Sequence, residues 1–117
     1  MSKISEITIR IDLDENKIPA SIEWQASDAG MPKPAESKSV FLSLLDKNSL
    51  DTSTLFLWTK DCQVAEMDRS VFYGLTALAD GYYRATNNSE LANEMRRFVQ
   101  YFGEKTAIIP PESESSY

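Results

Sequence analysis

The sequence predicts an α+β fold on three observations: strict two-residue alternation over residues 7–26, and two stripes of apolar residues at three- and four-residue spacing, over 65–86 and 91–102. In the first run Ile7, Ile9, Ile11 and Leu13 alternate with Glu6, Thr8, Arg10 and Asp12. After Asp14, Glu15, Asn16 and Lys17 the phase switches, and Ile18, Ala20, Ile22, Trp24 and Ala26 become the apolar set. A hairpin explains the switch. If the four polar residues form its loop, Leu13 opposes Ile18, Ile11 opposes Ala20, Ile9 opposes Ile22 and Ile7 opposes Trp24, and every apolar side chain shares one face. Pro19 cannot donate to a ladder, which predicts a sheet edge for the second strand.

Residues 27–35, with Gly30, Pro32 and Pro34, read as a connection. Over 36–47, Val40, Phe41, Leu44 and Leu45 recur at helical spacing, predicting a short amphipathic helix closed by Asn48. Residues 52–59 are rich in threonine and bulky apolar side chains, with Leu55 and Leu57 on one face and Phe56 and Trp58 on the other, and read as a strand covered on both sides. The long helix over 65–86 carries Val64, Met67, Val71, Leu75, Leu78 and Tyr82 on its stripe. A parallel row of small residues, including Gly74 and Gly81, predicts close approach of another backbone, because glycine otherwise costs a helix about 1 kcal/mol. Asn87, Asn88 and Ser89 supply a turn and a new cap. Leu91, Met95, Phe98 and Phe102 then define a last helix ending near 103–105. The expected order is strand, strand, helix, strand, helix, helix: one sheet of three antiparallel strands under three helices in a single domain over 1–109. The acidic, serine-rich 110–117 reads as a disordered tail.

Composition narrows the function. Twelve basic and eighteen acidic residues give a net charge of −6, which disfavours nucleic-acid phosphates and anionic lipid as partners. No apolar run approaches the roughly 20 residues of a membrane span, and no secretory signal opens the chain, so a cytoplasmic protein is expected. With no histidine at all, the commonest proton-transfer and metal-binding side chain is missing. Cys62, the single cysteine, has no histidine to pair with as a nucleophile, and neither a nucleophile elbow nor a glycine-rich phosphate loop is present. Asp12, Asp14 and Glu15 crowd the hairpin tip without the glycine and closing glutamate of a calcium loop, and read as solvated turn residues. Asp61 and Glu66 suit a helix amino end better than acid–base work. No catalytic, metal-binding or cofactor-binding residue is therefore expected. The aromatic residues remain: Trp24 reads as core by its place in the hairpin, Trp58 as core or as an anchor for a partner, and Tyr73 and Tyr101 fall on polar helix faces.

The string Leu57-Trp58-Thr59-Lys60-Asp61, followed by Val64, Glu66 and Met67, resembles the gliding motility protein GldC family of Bacteroidota. Leu13-Asp14-Glu15-Asn16, Ile22-Glu23-Trp24, Arg84-Ala85-Thr86, Met95-Arg96, Phe98, Tyr101-Phe102 and Glu104-Lys105 are similar to that family in the same order, over roughly residues 4–107. The chain departs from it at Gln63, where the family has proline, and at Ala65, where it has an acidic residue. The resemblance implies a small accessory protein of the gliding apparatus, tied to type IX secretion, with no catalytic residues to carry over. The leading expectation is a non-enzymatic scaffold that binds proteins of that machinery through Trp58, Lys60, Asp61 and Tyr101. Trp58 would supply buried area and the two charges would orient the partner. Two other classes stand beside it: a small-ligand-binding protein or carboxylate-dependent enzyme, and a homodimer formed through the small-residue row or an open strand edge.

Overall fold

The computed structural model describes residues 3–110. The expected tail, apart from Pro110, lies outside them. The chain divides into two compact units, a strand unit up to Cys62 and a helical unit from Gln63 onward.

The strand unit is antiparallel throughout. β1 (Ile7–Leu13), β2 (Pro19–Ala26) and β3 (Ala35–Ser37) form one sheet in that order, and β4 (Ser39–Leu45) pairs with β5 (Thr52–Trp58) in a second. The first hairpin forms where alternation places it, but two residues out of the expected register: Ile7 opposes Ala26, Ile9 opposes Trp24 and Ile11 opposes Ile22. Its tip is the cause. The Asp14 carboxylate accepts from the Asn16 and Ile18 amides at 2.8 and 3.0 Å, drawing Ile18 into a wider loop that turns at Lys17 with φ 63°. That widening alone would slip the pairing by one residue and turn every isoleucine to the polar side. A bulge beyond Leu13, which faces Pro19, adds the second residue and restores the phase. The opposite face pairs Thr8 with Gln25 and Arg10 with Glu23, the latter as an ion pair at 3.6 Å. Ile22, only 1% exposed, is the fully buried side chain of this sheet.

β2 is central rather than at an edge, yet β3 reaches only Ile22–Trp24, so Pro19 stands at the strand's first position beyond that ladder. Trp24 is not core: it is exposed on one side where the short β3 ends.

The helix expected over 36–47 is instead β3 and β4. Val40, Phe41, Leu44 and Leu45 fit a helical stripe, but Val40, Leu42 and Leu44 alternate with Phe41, Ser43 and Leu45 equally well, and pairing with β5 decides in favour of the strand. The turn 46–51 closes that hairpin. Asp46 accepts from the Asn48 and Ser49 amides at 3.0 and 2.8 Å, and Leu50 takes a left-handed φ of 65°.

The helical unit consists of α1 (Val64–Thr86) and α2 (Ser89–Lys105), two helices where three were expected. α1 opens with a capping box, the Gln63 amide donating to Glu66 Oε1 at 2.9 Å, and closes on Asn87 at φ 58°. Asn88 then caps α2 by accepting from the Leu91 amide at 3.1 Å. The buried residues are Phe72 and Ala79 of α1 with Ala92 and Gly103 of α2, so each contact ridge is rotated about one residue from the expected stripe. No other backbone crowds Gly74 or Gly81; the tight glycine is Gly103, and side chains are what press against it. A Cβ on Gly103 would meet the Phe72 ring at 2.6 Å and Ile109 at 2.8 Å, while one on Gly74 would meet nothing within 4 Å. Ile109 is folded back there by its amide bond to Gly103 O at 3.2 Å.

Candidate functional site

β4 and β5 read Ser-Val-Phe-Leu-Ser-Leu-Leu and Thr-Ser-Thr-Leu-Phe-Leu-Trp, without one charged side chain. Alternation sends Phe41, Leu45, Phe56 and Trp58 to one face and Val40, Leu42, Leu44, Leu55 and Leu57 to the other. On the first face Phe56 stands edge-on to Phe41, with ring centroids 5.5 Å apart, and to Trp58 at 5.4 Å. The strand expected to be covered on both sides is thus open on both: Leu55, Phe56 and Trp58 are 40%, 41% and 49% exposed. Trp58 is part of an aromatic row rather than of the core.

Immediately after Trp58 the chain turns polar. Thr59 is buried, and its hydroxyl donates to Asp61 Oδ1 at 2.5 Å. That bond, followed by the positive field of Lys38, holds the Asp61 carboxyl below its ordinary 3.8. The Lys60 ammonium donates to Asp14 Oδ2 at 3.2 Å, and the Lys60 amide donates to Pro19 O at 3.1 Å. Asp14 is also held below 3.8, first by the Ile18 amide and then by those of Asn16 and by Lys60. Lys60 therefore fastens the end of β5 to the tip of the first hairpin, while Asp61 is held by its neighbour Thr59. The Asp14 carboxylate serves its own turn and Lys60.

Tyr101 lies in the helical unit, more than half exposed, with the Lys105 ammonium 5.7 Å from its ring centroid and Phe98 beside it. Tyr73, also exposed, is covered on one side by the Arg69 guanidinium at 5.3 Å. Glu66 caps α1, whereas Asp61 turns to Thr59. Reading 36–47 as a helix hid Phe41 and Leu44, which sheet pairing sets beside β5. The signal that would have found them is the missing charge: a surface helix of that length carries a polar face, and 39–45 has two serines at most.

Among the described residues no three aspartate, glutamate or cysteine side chains converge as a metal site requires, and no helix is long and apolar enough to cross a membrane. A depression on the first sheet lined by Thr8, Arg10, Glu23, Trp24, Gln25 and Pro34 holds about 50 Å³. Small-molecule sites run to roughly 300–1,000 Å³.

Fold and surface together define a small α+β protein whose most distinctive exposed feature is an uncharged, two-faced apolar hairpin. The chain belongs to the GldC-like family: the family model described as gliding motility-associated protein GldC-like matches residues 19–108, from β2 through α2. Its association is with gliding motility. No curated protein and no solved structure is significantly similar to it.

Proposed function

We propose that the protein is a non-enzymatic accessory of the gliding apparatus of Bacteroidota, working in the cytoplasm and linked to type IX secretion, and that it acts by binding protein. One observation carries the reading: fourteen strand residues of β4 and β5 with no charge and with large apolar side chains open on both faces. Soluble proteins do not leave such a surface in water without a partner to cover it. Trp58 supplies contact area at the base of the aromatic row, Lys60 and Asp61 hold that base in place and border it with charge, and Tyr101 offers a second aromatic contact on α2. The test is complementation of a strain lacking the protein. Trp58→Ala, folded by circular dichroism, fails to restore colony spreading, and type IX cargo accumulates inside the cells. Full restoration of spreading by Trp58→Ala contradicts the reading.

A further inference from the structure

We propose that the open β4 edge of the β4–β5 hairpin pairs with that of a second copy of this chain, antiparallel about a two-fold axis at Leu42, to make one four-stranded sheet. The inference rests on the hairpin being a docking surface and names its occupant.

A two-stranded sheet is marginal in water and becomes stable with a third strand or a covering layer. β4 pairs with β5 alone within its sheet, and neither strand carries the lysine, proline or inward charge that protects a natural edge. The self-pairing register is set by the sequence of β4. Centred on Leu42, it places Phe41 opposite Ser43 and Leu45 opposite Ser39 on one face, each large side chain against a small one, with Val40 opposite Leu44 on the other. One residue past each end of this ladder the same register sets Asp46 of one molecule opposite Lys38 of the other, an opposite-charge pair made twice by symmetry. Centring on Leu55 in β5 also sets large against small, but it sets Asp51 opposite the uncharged Thr59 and gains no such pair.

Charge favours this place over the rest of the surface. Two copies carry −6 each and repel, and the uncharged hairpin is where they approach without bringing like charges together. Apolar side chains flank that edge as well: Phe41, Leu42, Leu44 and Leu45 of β4 are 39% to 66% exposed, and edge pairing sets them beside those of the second copy. Exposure is greater on β4, with Phe41 at 56% and Leu44 at 58%, than on β5.

The experiment uses the full chain. Light scattering at tens of micromolar is expected to give twice the 13.2 kDa monomer mass. Leu42→Lys, which sets two ammonium groups face to face at the axis, weakens self-association about tenfold or more. If Leu42→Lys does not fold, the cysteine variants carry the test. In a Cys62→Ser background, Leu42→Cys forms a reducible dimer under mild oxidation, because paired strands hold opposite Cα atoms within disulfide reach, and Leu55→Cys does not. A monomeric wild-type chain, or cross-linking at Leu55 and not at Leu42, overturns the proposal. A monomer whose Trp58→Ala variant still abolishes spreading leaves the hairpin as a docking surface for a different protein and removes the second copy.

Discussion

Of the two long hairpins in the strand unit, β1–β2 gathers its isoleucines on one face and keeps Arg10, Glu23 and their neighbours on the other, whereas β4–β5 carries no charge and is apolar on both. The first is flanked by β3, buries Ile22, and has its tip fixed by Asp14. The second buries none of its large side chains. The contrast separates two uses of apolar residues. Alternation with charge produces a sheet that stands with one face wet; alternation without charge produces one that needs something laid against it.

Substitutions sharpen or break that contrast. The largest effect is expected at Ile22→Ala, which should cost about 2–5 kcal/mol in a denaturant titration as a buried branched side chain is lost. Thr59→Val should cost about 1–3 kcal/mol, because the buried hydroxyl that holds Asp61 is gone. Acid should act through the same fastenings. Asp14 and Asp61 both have folded pKa values below 3.8, so the stability they add is present above that value and is lost as pH falls through the lower folded one. Melting temperature should therefore drop below about pH 4, and the drop should be shallower in Asp14→Asn. Leu50→Gly relieves a left-handed backbone at an exposed turn and should raise stability by about 1 kcal/mol. Leu44→Ser should change the stability of the isolated chain by less than about 0.5 kcal/mol while lowering self-association. A cost at Leu44 equal to that at Ile22 would make β4–β5 core and dissolve the distinction.

The first hairpin and both helices were legible because charge and apolar residues alternate at one period in each. Register was not, since alternation is blind to a two-residue slip: Asp14 widening the turn and the bulge opposite Leu13 leave every isoleucine on its face. Residues 39–45 were misread because Val40, Phe41, Leu44 and Leu45 satisfy two periods at once, and only a partner strand chooses between them. The helix ridges came out one residue off for a related reason. α1 and α2 carry apolar arcs wider than one helix contact uses, so Leu78, Leu91 and Phe98 stay exposed while Ala79, Ala92 and Gly103 are buried. Phe56 and Trp58 were legible as sharing one strand face, but that the face is open was not, because exposure depends on what the fold lays over it. The fastening role of Lys60 depends on Asp14, 46 residues away, being brought to it by the fold.

Amide hydrogen exchange of the full chain at two protein concentrations tests the central claim most directly, because protection that comes from a partner molecule follows mass action and protection from the fold does not. The β4 amides should exchange more slowly as concentration rises, while those of Ile9, Ile11 and Ile22 hold constant. Equal and high protection of β4 and β2 at both concentrations would show that the hairpin is closed within one molecule and would contradict the account.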